Sequence, residues 1–270
     1  MSVFDLGGRP IVVTGALGRL GTEFCRAFLS QGARVAGLDL AEPSSAKATE
    51  WLAGLGAGPN AAYVQGDVTD RPSLARAAET AAGKLGPIFG LVNNAGLDSP
   101  PDAPIEENGP FETYPQVSWD RVLEVNLTGP MLCCQVFGSR MAQQGSGSIV
   151  NIGSIYGSLS PIQDIYEYRR RRGETFFKPV GYSASKSGLT NLTRYLATYW
   201  APLVRVNTLT LAGVFAGQEK EFLDNYLARM PMRRMAEPDE YNGAIVFLMS
   251  DAARYMTGAN LLIDGGWSAW

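Results

Sequence analysis

Residues 14–21 read Thr14-Gly15-Ala16-Leu17-Gly18-Arg19-Leu20-Gly21, and this stretch decides the fold. It follows the apolar, β-branched run Pro10–Thr14 and opens a helical pattern over Leu20–Gln31. In such a strand-turn-helix unit Gly15 makes the tight turn and Gly18 lets backbone approach a pyrophosphate. Gly21 lets the helix pack on the strand. The helix start offers free N–H groups and a positive dipole end to phosphates. Arg19 and Leu20 complete the candidate contacts in this turn. Asp39 ends the next predicted strand, 18 residues beyond Gly21. A carboxylate there accepts hydrogen bonds from an adenosine ribose and repels the 2′-phosphate of NADP. NAD is therefore the expected cofactor. NADP stays the alternative, because the Arg19 guanidinium can reach a phosphate.

The same rhythm runs outward along the chain. Strands are expected at Pro10–Thr14, Arg34–Asp39, Ala62–Gly66, Phe89–Asn93, Ser148–Gly153, Val204–Leu209 and Leu261–Asp264. Helices are expected at Leu20–Gln31, Ser44–Leu55, Pro72–Leu85, Trp119–Gln143, Tyr182–Trp200, Glu219–Arg229 and Asp239–Met249. This alternation implies right-handed crossovers. The expected fold is α/β, a Rossmann-type doubly wound parallel sheet of about seven strands with helices on both faces. The strands lack in-out alternation, as strands covered on both faces should. One domain over residues 1–270 is expected. Two segments break the rhythm, Leu97–Val117 and Ile155–Val180. Both follow strands at their C-terminal ends, where open α/β sheets bind ligands.

Composition narrows the function. Of 270 residues, 46% are hydrophobic, enough for a sizeable core. The 23 basic and 26 acidic residues give a net charge of −3, which argues against a nucleic-acid partner. Histidine is absent, which excludes Ser-His-Asp triads, Cys-His pairs and His-ligated metals, and no metal is expected. Cys25, Cys133 and Cys134 read as small buried apolar residues of a reducing compartment. The start, Met1-Ser2-Val3-Phe4-Asp5, lacks a signal peptide's basic and apolar regions. No run reaches the roughly 18 apolar residues of a membrane span, so no membrane partner and a cytoplasmic location are expected.

The catalytic candidates begin with Tyr182-Ser183-Ala184-Ser185-Lys186 at a helix start. Four residues of separation put Tyr182 and Lys186 on one face. A free tyrosine titrates near 10, and a neighbouring ammonium favours its phenolate, which makes it a usable acid and base. Ser154 ends the strand Ser148–Gly153 and can hold a substrate oxygen. Asn126 lies inside a long predicted helix, where asparagine is a poor fit. It is expected to hold a water or to interrupt the helix.

On these residues the sequence resembles the short-chain dehydrogenase/reductase family almost end to end. The matches are the Gly-rich turn after Thr14, Gly66-Asp67-Val68, Asn93-Asn94-Ala95-Gly96, Asn126, Ser154, Tyr182-x-x-x-Lys186, Arg205-Val206-Asn207 and Thr257-Gly258 with Asp264-Gly265-Gly266. All stand in the family's order. The resemblance implies that Tyr182 exchanges the substrate proton and Ser154 orients the substrate oxygen. Lys186 would lower the Tyr182 pKa and hold the nicotinamide ribose, and Asn126 would place a water behind it. Asp67 and Val68 would flank the adenine, and Asn94, Ala95 and Gly96 would line the cofactor groove. A homodimer or homotetramer through Trp119–Gln143 and Tyr182–Trp200 is implied as well.

The sequence departs from the family in three places. Gly15, Gly18 and Gly21 have the spacing usual in the extended, sugar-nucleotide branch, while the length fits the single-domain branch. Ser154 and Tyr182 stand 28 residues apart, about twice the common separation, so 155–180 contains an insertion on the substrate side. Its Arg169-Arg170-Arg171-Arg172 and Lys178 read either as a clamp for an anionic substrate or as a solvated charge run. Leu211-Ala212 replaces the usual Pro-Gly, although Val214 can still offer its backbone to a carboxamide. The insert, with Ser154-Ile155-Tyr156-Gly157 and Gly213-Val214-Phe215, looks most like oxidoreductases of flagellin modification and surface sugars. The expected activity is interconversion of a secondary alcohol and a ketone, on a small sugar or sugar derivative. The alternatives are a 3-oxoacyl-thioester or other ketone reductase, a nucleotide-sensing protein without turnover, and an epimerase or dehydratase that recycles its NAD.

Overall fold

Seven parallel strands form one sheet in the order β3-β2-β1-β4-β5-β6-β7. They are β1 (Pro10–Thr14), β2 (Arg34–Asp39), β3 (Ala61–Gln65), β4 (Gly90–Asn93), β5 (Gly147–Ser154), β6 (Val204–Leu211) and β7 (Asn260–Ile263). The computed structural model describes residues 2–98 and 104–270. Met1 of the N-terminal reading and residues 99–103 of the expected loop lie outside the described residues. Val12 pairs with Ala36 on one side and Leu91 on the other, so β1 sits at the centre. The strand order reverses between β1 and β4, which puts a ligand crevice at their C-terminal ends.

Alternate residues of the inner strands feed two cores. Ile11, Val13 and Val35 face Phe24 and Phe28 of α1 (Arg19–Ser30), and that cluster extends to Ile245 and Leu248 of the penultimate helical region. Val12, Ala36 and Leu38 share the opposite core with Leu74, Ala78 and Ala81. Each Val, Ile, Leu or Phe among them contributes about 1.5–3 kcal/mol on burial, and the alanines less. The first core also takes Ala48 and Trp51 from α2 (Ala46–Leu55), and the second is covered by α3 (Arg71–Leu85). Ser45 caps α2 by accepting the Ala48 N–H at 3.3 Å, and Asp70 caps α3 by accepting the Ser73 N–H at 3.1 Å.

The expected loop after β4 carries the short α4 (Ile105–Asn108). The expected helix Trp119–Gln143 starts earlier and is not uniform. It runs as α5 (Gln116–Leu123), a π-helical stretch Glu124–Thr128, α6 (Gly129–Cys133), a second π stretch Cys134–Gly138 and α7 (Ser139–Gln143). Asn126 is at the middle of the first π stretch, which realises the expected interruption. The insertion after β5 folds into short turns and α8 (Glu167–Arg171), then enters α9 (Val180–Trp200). The remaining helices are α10 (Lys220–Leu227) and α11 (Asn242–Met249). No helix among the described residues is long and apolar enough to cross a membrane.

Candidate active site

The crevice begins at the turn after β1. Gly15 has φ +64°, and a Cβ on it would stand 2.8 Å from the Ala95 Cα. A Cβ on Gly21 would stand 2.2 Å from the Gly15 carbonyl oxygen, so no larger residue fits there. Gly18 is less constrained, with its virtual Cβ 3.2 Å from the same oxygen. Thr14 Oγ1 ties this turn to β4 by accepting the N–H groups of Asn94 and Ala95, both at 3.0 Å. Asn94 Nδ2 returns hydrogen bonds to the carbonyls of Thr14 at 2.9 Å and Gly15 at 3.2 Å. Two loops from distant parts of the chain are thereby locked into one groove wall.

Asp39 is half-buried and folds over the turn. Its carboxylate accepts the Leu17 N–H at 3.0 Å and the Leu40 N–H at 2.8 Å. Arg19 is not aimed outward as an unattached cation, because its guanidinium donates to the Phe215 carbonyl across the crevice. Asp67 Oδ1 accepts from the Thr69 N–H at 2.8 Å and the Thr69 hydroxyl at 2.7 Å. Val68 is buried, and its side chain would lie 3.0 Å from a Cβ on Gly129.

A cleft of about 820 Å³ continues from this groove over the C-terminal ends of β4, β5 and β6. Leu20, Asn94, Gly96 and Val214 line its cofactor side, and Ser154, Tyr182 and Lys186 its floor. The Val214 carbonyl accepts from Gln218 Nε2 at 2.9 Å. Asn126 is buried just behind. Its Oδ1 accepts the Leu97 N–H at 2.7 Å, and its Nδ2 donates to the Leu97 carbonyl at 2.9 Å and to Ser185 Oγ at 3.2 Å. Lys186 Nζ donates to the Ile152 carbonyl at 2.8 Å. Among the candidates for the cofactor and the chemistry, Asp67 and Val68 stand apart from this cleft and its glycine turn. Asp67 faces a neighbouring cavity of about 530 Å³ beside Leu40.

The electrostatics differ from the expectation that Lys186 governs Tyr182. Burial pushes the Tyr182 phenol up, the Asp98 charge adds to this, and a hydrogen bond from Ser154 pulls it back. The Lys186 amine points at the Ile152 carbonyl, 5.8 Å from the centre of the Tyr182 ring, so burial outweighs it. Burial acts on Lys186 as well and lowers it to about 8, against a smaller upward pull from Asp98.

Comparison with known proteins identifies the family. A family model described as enoyl-(acyl carrier protein) reductase matches residues 15–268. The chain belongs to the short-chain dehydrogenase/reductase family. It is 36% identical to cis-4-hydroxycyclohexanecarboxylate dehydrogenase of Sinomonas cyclohexanicum, over 97% of both chains. It is 35% identical to the L-tagatose-forming galactitol 2-dehydrogenase of Cereibacter sphaeroides, over 100% of this chain and 98% of that one. A short-chain dehydrogenase from Leptospira borgpetersenii with bound NAD+ superposes with a TM-score of 0.82 at 31% identity, covering 98% and 95% of the two chains. A gluconate 5-dehydrogenase from Burkholderia cenocepacia with NADP and tartrate gives 0.84 at 25% identity, covering 99% and 98%. This member of the family is thus an oxidoreductase that acts on CH–OH groups with a nicotinamide dinucleotide. The expected sugar-type substrate class is matched by relatives named for sugars and polyols, whereas the narrower likeness to surface-sugar enzymes has no counterpart among these relatives. The flagellin link remains a resemblance of motifs.

Several parts of this dehydrogenase's site were not read from sequence. Ser185 Oγ joins Asn126 to α9 and donates to the Tyr182 carbonyl at 2.7 Å. Gly157 lets the turn after β5 touch α9, since a Cβ there would stand 2.9 Å from the Lys186 carbonyl oxygen. Gly157 adjoins Ser154 in the quoted motif, so a signal was present. Asp98, two residues beyond Gly96, forms an ion pair with Lys178 over the Tyr182 ring, and nothing in the local pattern announces it.

The arginine run is consumed within the protein. Arg169 pairs with Glu174 at 2.6 Å, and Arg170 with Glu167 at 2.6 Å. Arg171 stands 3.8 Å from Glu167, and Arg172 binds Glu219 at 3.5 Å and also Glu221. Of the four, only Arg169 lines the cleft. The run is mainly a scaffold that fastens the insertion to itself and to α10.

Proposed function

We propose that this dehydrogenase interconverts a secondary alcohol and a ketone on a sugar-like polyol or an alicyclic hydroxy acid, with NAD as its preferred cofactor. The observation that carries the reading is the convergence of Ser154, Tyr182, Lys186 and the buried Asn126 beside a glycine-built turn. The residues of that turn suit a dinucleotide, because Gly15 and Gly21 leave backbone where a Cβ would intrude. The nicotinamide dinucleotide supplies or accepts the hydride when bound.

The chain's own residues handle the oxygen and its proton. Ser154 donates a hydrogen bond that fixes the substrate oxygen, and Tyr182 gives it a proton or takes one. Lys186, held near a pKa of about 8, exchanges a proton close to neutral pH and can restore the one Tyr182 has lost. Asn126 keeps the backbone at Leu97 and the start of α9 in fixed relation, so that Tyr182 and Lys186 stay aligned. Gly18, Arg19, Leu20, Asp39, Asn94, Ala95, Gly96 and Val214 complete the cofactor contacts along the groove, and Asp67, in the neighbouring cavity beside Leu40, flanks the adenine together with Val68. Asp39 sets the preference for NAD by charge repulsion.

The relatives named for galactitol and for a hydroxycyclohexanecarboxylate support this substrate class. The whole chain acts as one domain with its substrate-side insertion at 155–180. It assembles as a homodimer or homotetramer through Gln116–Gln143 and α9, in the cytoplasm. The deciding experiment screens polyols, sugars, hydroxy acids and a 3-oxoacyl thioester with NAD and NADP, following nicotinamide absorbance. Turnover of an alcohol or sugar with NAD at least tenfold above NADP is expected. Turnover of the thioester alone, or none with any nicotinamide, refutes the assignment, and preference for NADP refutes the role of Asp39.

A further inference from the structure

We propose that Lys178 anchors a carboxylate on the substrate, and that Asp98 holds this place until the substrate arrives. The inference rests on the dehydrogenase reading above and selects its acidic branch, a hydroxy acid in preference to a neutral polyol.

Lys178 belongs to the insertion and lines the same cleft as Tyr182. Its ammonium stands 5.1 Å from the centre of the Tyr182 ring. Its side chain is only 7% exposed, whereas the side chain of its partner Asp98 is 57% exposed. A buried ammonium must remain paired or suffer a large desolvation cost. The backbone around it is fixed, with the Lys178 N–H donating to Gln163 Oε1 at 2.9 Å and its carbonyl accepting from Gln163 Nε2 at 3.1 Å. The cation is therefore built in, while the anion lies on the solvent side of the pair, on the loop after β4. A ligand carboxylate entering the cleft can take over the ammonium from Asp98 without breaking the requirement for a partner. The other cations of the insertion are poorer anchors. Arg170 and Arg172 are turned to Glu167, Glu219 and Glu221, Arg171 is 78% exposed, and Arg169 shares its charge with Glu174.

The test uses the full chain with NAD and matched pairs of substrates, aldonates against alditols and hydroxycyclohexanecarboxylates against hydroxycyclohexanemethanols. In wild type, kcat/KM is expected to favour the acid. Lys178→Met should cut that acid-to-neutral preference about 30-fold, mainly through the KM of the acid, and Lys178→Arg should restore most of it. Asp98→Asn removes the rival carboxylate and should lower the acid's KM severalfold, which keeps the test alive should Lys178→Met fail to fold. Calorimetry with cyclohexanecarboxylate and cyclohexanemethanol reads binding without turnover. A wild-type enzyme indifferent to charge, a rise in the acid's KM in Asp98→Asn, or an equal loss for both substrate classes in Lys178→Met overturns the anchor. An alkaline shift of the pH profile for both classes does so too, since Lys178 would then serve the ionisation of Tyr182. If no alcohol turns over yet cyclohexanecarboxylate binding still depends on Lys178, the anchor stands and the dehydrogenase reading falls. If alcohols turn over without any charge preference, the dehydrogenase reading stands and the anchor falls.

Discussion

The two ends of the cleft are made of different material. The end around residues 14–21 is built from backbone, with Gly15 and Gly21 fixing where the chain can go and Thr14 Oγ1 stitching it to β4. The end around 155–180 is lined by side chains, with Tyr156, Tyr166, Tyr168 and Phe176 beside Arg169 and Lys178, and is braced from outside the cleft by Arg170 and Arg172 reaching Glu167 and Glu221. Backbone geometry is indifferent to what a substrate looks like and suits a cofactor shared by many enzymes. Side-chain pairs can be exchanged one at a time, which suits a pocket whose contents differ between relatives.

The contrast can be broken at several points. Where the two ends meet, Tyr182→Phe should lower kcat roughly 1,000-fold, while calorimetric NAD binding changes little. A loss of binding in place of a loss of turnover would move Tyr182 from the chemistry to the groove wall. At the backbone end, Gly21→Ala should cost about 3 kcal/mol of unfolding free energy and Gly18→Ala under about 1 kcal/mol, as their contacts of 2.2 and 3.2 Å imply. Equal costs in a denaturant titration would mean that the turn does not depend on Gly21.

Lys186 tests the middle through pH. Its pKa is about 8 in the folded chain, against 10.5 for a lysine free in water. Between these values the unfolded chain holds a proton that the folded chain has released, so stability must rise with pH across this window. The difference between wild type and Lys186→Met should change by at most about 3 kcal/mol from pH 8 to 10.5, in favour of wild type. A flat difference would place the amine in water. At the side-chain end, Arg171→Ser should change stability by no more than about 0.5 kcal/mol, because its ion pair is exposed and 3.8 Å long. A larger effect on thermal unfolding would show that the run acts as one network.

Legibility in the sequence follows the same division. Strands β1 and β2 match their predicted bounds, because short apolar runs ended by Gly or Asp leave few alternatives. The glycine turn, Asn126, Ser154, Tyr182 and Lys186 were visible because each has a local constraint: a tight turn, a misfit in a helix, a strand end, or a shared helix face. Asp98 and Lys178 were invisible as a pair, since 80 residues separate them and neither is unusual where it stands. The partners of Arg172 lie on or beside α10, so a charge run that looked available in sequence is spent in three dimensions. Asn126 marks the first π stretch, but the second, Cys134–Gly138, carries no such misfit residue and keeps the overall helical pattern while adding a residue to one turn.

That added residue gives the rod Gln116–Gln143 a property ordinary helices lack. A π turn holds one residue more than the α-helical ladder requires, and so rotates everything beyond it around the axis. Deleting a single residue between Glu124 and Thr128 would let the ladder close up as regular helix, yet would swing Asn126 away from Leu97 and Ser185. Along this rod, then, the placement of Asn126 depends on how many residues precede and follow it as well as on which residues they are.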